Sequence, residues 1–408
     1  MTDKDEYVFA TYDIHDRENS LAEAAKFLAL METTGPWHGA EPSPPLFKRC
    51  QGVVANVHET GAGSGLVTIG FPLENFNLAD GAWDSLLISV IGGYAPAAAR
   101  FARSRLVDLR IPPTLSARFP GPRFGRDGVR RMLAVRENEV AIGAIVKPVS
   151  GITPADVADD VRVMGSAGIE FIKDDQKMLN PTYCPLVERV RAVERALDIV
   201  EQERGFRPLY APNVTTRVDR LLDNACRAIE AGARALMVTF VSSGFEALLV
   251  LAEAPEVNVP VYAHCGGKEV ITAGSDRGIA PGVVVQLARL MGGDIMRLSA
   301  VEGDLVHAET EAVAEMHAMM TDDNLPMRPM LPAVSGGLNP GNLHRSLAAT
   351  GADVLVLAGR GIVLHPDGPA AGVKALREAA AAHAAGIDVE AYAENHPALA
   401  AALQASFQ

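Results

Sequence analysis

The sequence predicts a (β/α)8 barrel preceded by a ferredoxin-like α+β domain. From residue 141 onward, eight strand-like runs alternate with Ala-rich amphipathic stretches, at 141–148, 171–175, 208–214, 235–240, 259–265, 295–299, 330–336 and 354–359. Helix stops rich in small residues precede several of these strands, at Ala167-Gly168, Ala231-Gly232, Gly292-Gly293 and Thr350-Gly351. Upstream, the order strand, helix, two strands, helix, strand is that of a ferredoxin-like unit.

The N-terminal elements follow in order. "YVFATYDI" (7–14) is rich in aromatic and β-branched residues and predicts a strand. "SLAEAAKFLALMETT" (20–34) predicts a helix with Ser20 as its N-cap. Residues 52–72 predict two strands around a Gly-rich turn, 83–100 a helix, and 103–112 a strand. Residues 116–140 form a connector rich in Pro, Gly and Arg, with room for short helices. The barrel is drawn over 141–385, with helices such as 154–166, 216–232 and 306–320, and a helical tail over 386–408. The N-terminal domain then occupies 1–115. Eight units on this span approach the usual barrel size of about 250 residues. A doubly wound open sheet is the alternative. The regularity of the units fits closure, and no GxGxxG opens the first one.

The net charge of −13 argues against nucleic acid or an anionic membrane as partner, since both need a dense cationic surface. It leaves room for an anionic small molecule in a locally positive pocket. The four cysteines, Cys50, Cys184, Cys226 and Cys265, form no CxxC. With no signal peptide they read as reduced thiols of a cytoplasmic protein. The longest apolar runs are of strand length, so no membrane span is expected.

Function in a barrel collects at the C-terminal ends of its strands. Those ends carry Lys147-Pro148, then Lys173, Asp174, Asp175 and Gln176, then Asn213, then His264-Cys265, then Arg297 and Ser299, then "SGG" (335–337) and "GRG" (359–361). Each has a plain structural reading: a lysine reaching water, a hydrogen-bonded core histidine, turn glycines. Together they converge on one mouth. Glycine loops after the seventh and eighth strands, here Gly336, Gly337, Gly359 and Gly361 with Arg360 between, suit a phosphate or carboxylate held by backbone N–H groups. Arg297 is a candidate for a second anionic group.

Alternation puts Lys173 and Asp175 on one face of their strand and Asp174 on the other. Two readings of this stretch stand. One is a Lys–Asp pair at a strand end. In the other, the neutral amine of Lys173 adds CO2 to become a carbamate. Carbamate, carboxylate and the Gln176 amide oxygen then suit a hard cation such as Mg2+.

"GAIVKPVSGITP", "GIEFIKDDQ", "VYAHCGG", "LMGGDIMRLS", "LPAVSGGLNPGNL" and "LAGRGIVLHPDGP" resemble, in order, the barrel signatures of the RuBisCO superfamily, and "LVDLRIPP" resembles the end of its N-terminal domain. The resemblance covers nearly the whole chain. It implies a homodimer, or a higher assembly of dimers, in which the N-terminal domain covers the partner's barrel mouth. It implies that Lys173 is the carbamylated lysine and Asp175 a magnesium ligand. Lys147 would handle protons near an enediolate, His264 and Ser335 would touch substrate, and Gly337 and Gly359 would sit at a phosphate.

The departures narrow the activity. Gln176 stands where the family has a glutamate ligand. Cys265 and Arg297 stand at an arginine and a histidine that bind one phosphate, and Arg360 at a phosphate-binding glycine. Asp304 lies near the position of the lysine that assists CO2 addition. "VIGGYAP" lacks the active-site asparagine, with Tyr94 nearest, and Glu32 of "ETTGPW" is out of register. These changes argue against carboxylation of ribulose bisphosphate; the chain looks like a RuBisCO-like protein. What is retained suits an enediolate beside a carbonyl. The reading favoured is decarboxylation of a phosphorylated sugar acid of the 3-oxo-isoapionate 4-phosphate type, in carbohydrate catabolism. Hydrolytic C–C cleavage of the same class, a methylthio-sugar isomerase or enolase, and a non-catalytic sugar-phosphate binder are the alternatives.

Overall fold

The computed structural model describes residues 6–39, 42–76, 83–93, 95–303 and 308–405. Tyr94 and Asp304, singled out above, lie outside them. Thirteen strands run through the described residues: β1 (Tyr7–Asp16), β2 (Val53–Gly61), β3 (Ser64–Pro72), β4 (Phe101–Arg110), β5 (Ala141–Ile145), β6 (Phe171–Lys173), β7 (Leu209–Ala211), β8 (Leu236–Thr239), β9 (Val261–His264), β10 (Arg277–Ile279), β11 (Ile295–Ser299), β12 (Leu331–Ser335) and β13 (Leu355–Ala358). They divide between two compact units, one of Met1–Pro120 with Gly267–Leu290, the other of Gly121–Gly266 with Met291–Gln408.

The first unit carries a sheet of order β10-β4-β1-β3-β2. Its four N-terminal strands are antiparallel in ferredoxin-like order, and β10 adds to β4 in parallel. β1 buries alternate residues, and the helix Leu21–Met31 buries Leu21, Ala24, Ala25, Leu28 and Ala29. Ser20 occupies the N-cap position, but its side chain makes no cap bond. Instead its own N–H donates to Asp16 Oδ2 at 3.1 Å, and Arg100 holds that carboxylate at 2.7 and 2.8 Å. The helix expected over 83–100 ends at Ile91, because Gly92-Gly93 follows and stops it. β10 has no expectation behind it: three residues, Arg277–Ile279, are too few to show a period.

The second unit carries eight parallel strands in the order β7-β6-β5-β13-β12-β11-β9-β8. The ring closes between β7 and β8. Asn213 bridges Met237, Val214 N–H donates to Met237 O at 2.9 Å, and Met237 N–H donates to Pro212 O at 2.9 Å. Closure removes the open-sheet alternative. Alternation sets the interior in layers. Phe171, Leu209, Tyr262, Ile295, Leu331 and Leu355 pack at the N-terminal end, capped by Val129 and Leu133 of the connector helix region (Gly125–Met132). Gly143 faces inward there for lack of room: a Cβ would sit 2.6 Å from Leu357 Cδ2 and 3.0 Å from Phe171 O. Two residues further along, Lys173, His264 and Arg297 face the mouth, while on β7, β12 and β13 Ala211, Ala333 and Leu357 still belong to the core and the mouth is reached two residues later.

Asp294 ties the plug to the barrel floor. Its buried carboxylate accepts N–H groups of Phe124 (2.6 Å), Gly125 (2.8 Å) and Val261 (2.9 Å). Asp294→Ala would leave three backbone donors without an acceptor, at about 1–3 kcal/mol for each one that stays dry. Chemical denaturation should show a loss of at least ~3 kcal/mol; a variant within 1 kcal/mol of wild type would mean water reaches the floor.

Candidate active site

β6 is short, and what fixes its end is a buried ion pair. Asp174 and Arg189 are both fully buried. Arg189 donates to Asp174 Oδ2 from Nε at 3.1 Å and from Nη2 at 2.9 Å. Tyr210 Oη donates to the other oxygen, and Asn213 N–H donates to Oδ2 at 2.9 Å. With Asp174 held on the outer face, strand alternation turns Lys173 and Asp175 inward.

Lys173 is 1% exposed. Its Nζ donates to Asp174 O at 2.9 Å and lies 5.4 Å from the centre of the Tyr262 ring. Burial lowers the amine to about 8, against the attraction of Asp175 and Asp174 and with the help of Lys147 and Arg297. A buried amine at that value is substantially neutral in mildly alkaline solution, the form that adds CO2. The Tyr262 hydroxyl finds no hydrogen-bond partner among the described residues, so what this residue offers Lys173 is its ring face.

Asp175 turns toward β5, where Lys147 Nζ donates to its Oδ2 at 2.7 Å; Lys177 N–H donates to Oδ1 at 3.0 Å. The stem of Lys147 runs across the end of β13. A Cβ on Gly359 would lie 3.1 Å from Lys147 Cε, so glycine there keeps the lysine's path open.

His264 ends β9 and is buried. Gly266 N–H donates to its Nδ1 at 3.0 Å, which places the proton of the neutral ring on Nε2. Burial, then the charges of Lys173 and Arg297, hold the imidazole well below its ordinary range. Gln176 lies on the same side: a Cβ on Gly266 would meet His264 Cε1 at 2.9 Å and Gln176 Cγ at 3.6 Å. Arg297 is half-buried on β11 and donates from Nε to Ser335 Oγ, 3.2 Å away on β12. Cys265 is buried on the opposite face from His264, with Sγ 3.6 Å from Arg297 O.

Beyond β12, Gly336 and Gly337 have φ of +124° and +95°, conformations that favour glycine. Asn342 Nδ2 fixes Gly337 O at 2.9 Å. No described residue accepts the N–H groups of Gly336, Gly337, Gly359 or Arg360. Arg360 is half-buried, and its side chain makes no hydrogen bond or ion pair with a described residue. Gly361 is buried, and a Cβ there would be 2.3 Å from Leu338 O, so close packing alone demands glycine at that position.

Among the described residues no three His, Cys, Asp or Glu side chains gather to hold a metal ion. The end of β6 fits a hard cation on one condition. With Lys173 carbamylated, it offers three kinds of oxygen donor: carbamate, the Asp175 carboxylate and the Gln176 amide. With a bare amine it does not. Sequence reasoning passed over Tyr262, though it lies two residues before His264 and therefore on the same inward face. It also passed over Arg189, whose sequence context is that of an ordinary helical charge.

The chain matches the model of the ribulose bisphosphate carboxylase large chain N-terminal domain over residues 1–115 and that of the catalytic domain over 125–406. It is 32% identical to a ribulose bisphosphate carboxylase-like protein of Archaeoglobus fulgidus, covering 97% of this chain and 92% of that one. It is 31% identical to a 2,3-diketo-5-methylthiopentyl-1-phosphate enolase of Geobacillus kaustophilus, covering 97% of each. It is 34% identical to a 3-oxo-isoapionate-4-phosphate decarboxylase of Rhizobium etli, covering 83% and 80%. Among solved structures, a rubisco-like protein (MtnW) from Alicyclobacillus acidocaldarius superposes with a TM-score of 0.88 at 31% identity over all of both chains. The octameric Rubisco of Pyrococcus horikoshii superposes with a TM-score of 0.91 at 26% identity, over 99% of this chain and 94% of that one. With both domains matched and whole-length relatives above 30% identity, this chain belongs to the ribulose bisphosphate carboxylase large-chain family.

Proposed function

We propose that this protein is a Mg2+-dependent, enediolate-forming decarboxylase of a phosphorylated 3-oxo sugar acid. The observation that supports it best is the pairing of Lys147 with Asp175 at 2.7 Å beside a buried Lys173, under a mouth that adds Arg297 and Arg360 to donor-rich glycine loops. A cationic rim of this kind suits a substrate with two anionic groups. The relative from Rhizobium etli bears the name of such an activity.

In this reading the backbone N–H groups of Gly336, Gly337 and Gly359, with Arg360, bind the phosphate. Arg297, oriented by Ser335, receives the carboxylate. His264 offers its Nε2 proton to a substrate hydroxyl and stays neutral. A divalent cation at Lys173 carbamate, Asp175 and Gln176 would polarise the 3-oxo group. As CO2 leaves, the electrons of the broken C–C bond pass to the carbonyl, giving an enediolate. Lys147, held by Asp175, is placed to deliver the proton that returns it to a ketone. A homodimer, or an assembly of dimers, belongs to the same reading, in keeping with the octameric relative. Enolisation of a methylthio-sugar phosphate is the second reading, favoured by the enolase relative that spans the whole chain.

Purified protein incubated with Mg2+, bicarbonate and 3-oxo-isoapionate 4-phosphate should release CO2, followed by 13C NMR. Proton exchange in a methylthio diketone phosphate without CO2 release would transfer the assignment to the enolase. Lys147→Met should lower kcat by about 10²–10⁴ while substrate binding changes little. A small effect on kcat would remove Lys147 from the proton path.

Only the neutral amine reacts with CO2, and its fraction grows as pH rises through the folded value near 8. At constant dissolved CO2, 13C label on Lys173 should therefore increase between about pH 7 and 9, read by NMR. Because carbamate formation also releases a proton, the rise should become less steep above about pH 8; a rise that stays equally steep through pH 9, as for an exposed lysine, would show that the amine is not tuned by burial.

Gln176 leaves about −2 of donor charge where a glutamate would give about −3. Gln176→Glu should tighten Mg2+ roughly tenfold without substrate and shrink the gain in Mg2+ affinity that substrate brings. Calorimetric titration in the two conditions reads both; equal affinities for wild type with and without substrate would oppose the role of Gln176.

A further inference from the structure

Asn213 lies two residues past β7, 1% exposed, at the one place where β6, β7 and β8 meet. Its Nδ2 donates to Gln176 O at 3.1 Å and more weakly to Asp175 O at 3.4 Å. Its Oδ1 accepts Thr215 N–H at 3.1 Å and Thr215 Oγ1–H at 2.6 Å. Thr215 Oγ1 in turn accepts Thr239 N–H at 2.8 Å from β8. A backbone N–H can only donate, so the amide has one orientation: oxygen toward Thr215, nitrogen toward the two carbonyls. The main chain of Asn213 also donates to Asp174. One residue thus grips three consecutive residues, Asp174, Asp175 and Gln176, and refers their position to the next two strands.

We propose that Asn213 is the positioning residue of the cation- and CO2-binding end of β6. It touches neither substrate nor cation. It holds the Asp175-Gln176 main chain at the turn where the strand ends, which is where hydrogen bonding between strands no longer does so. Both side chains depend on that turn for their direction, Asp175 toward Lys147 and Gln176 toward His264. Loss of the amide frees the turn while leaving the Lys173 strand in its ladder. The inference rests on the proposed metal site, and it concerns how that site is kept assembled.

The test uses the full-length protein, Mn2+ as the probe and bicarbonate as the CO2 source. Mn2+ binding is read by electron paramagnetic resonance, carbamate by 13C NMR, and folding by thermal unfolding. Asn213→Leu keeps the volume and removes donor and acceptor without adding charge. It should bind Mn2+ at least tenfold more weakly and lose most of the carbamate signal in protein that remains folded. Thr215→Ala, which removes the hydroxyl, one of the two donors to the amide oxygen, without touching β6, should weaken Mn2+ by about two- to fivefold, and Thr215→Ser should restore wild-type binding. Should Asn213→Leu not fold, the Thr215 pair decides. Folded variants that bind Mn2+ and CO2 like wild type would overturn the positioning role and leave the site intact. A wild-type protein that shows neither Mn2+ binding nor carbamate would overturn the site itself, and the inference with it.

Discussion

The mouth of the barrel depends on the burial of Asp174 against Arg189. Two opposite charges taken fully out of water are costly, and the pair persists because its hydrogen bonds are filled. Asp174 receives Arg189 twice, Tyr210 and the Asn213 main chain. Removing one partner from such a pair costs about 3–5 kcal/mol, since the other charge is left buried and alone. The contribution is more than stability. A strand of three residues has little ladder of its own to set its twist, and β6 is that short. Anchoring the outward residue next to the strand end decides the direction of the inward ones on either side of it.

From that constraint follows the chemistry. Lys173 cannot retreat to solvent, so its charge is disfavoured and its amine is available as a nucleophile. Lys147 has the opposite circumstance. It reaches the same carboxylate from just beyond β5 and lies partly exposed. In the proposed mechanism, this difference in burial would suit the two lysines to different jobs: Lys173 to take up CO2, Lys147 to carry a proton. Separating acid and base roles through unequal environments is a general device of active sites.

Most of this was legible from period and position. Alternation along "FIKDDQ" separates Asp174 from its neighbours, and the strand-end rule of barrels collects Lys147, His264, Arg297 and the glycine loops. What was not legible is whatever depends on a partner distant in sequence. Arg189 lies within a helix whose other arginines face solvent, and nothing local marks it as buried. Ser20 is a good N-cap by type, yet Asp16, fixed by Arg100, captures its main chain instead. Glu32 is in the helix-end stretch that resembles a substrate loop. It is buried, and it accepts the Ala95 N–H within its own unit, a use no motif reveals. Gly361 belongs to a glycine loop by sequence and to close packing by structure.

Gln176, Cys265, Arg297 and Arg360, each a departure from the family pattern, are best understood together as one change in charge. In the proposed site, an amide in place of a carboxylate donor would leave a divalent ion balanced by about two negative charges and no more. Arg297, Arg360 and Lys147 then give the mouth an excess of about three positive charges. A sugar bisphosphate would bring about four negative charges, and a sugar monophosphate about two. A phosphorylated acid brings about three, so the proposed substrate is the one that the mouth neutralises. The match is also temporary. When CO2 departs it takes no charge with it, and once the enediolate is protonated the product holds only the phosphate dianion. In the proposed reaction the guanidinium of Arg297 would then face a group that has gone, and the balance that favoured binding of substrate would favour release of product.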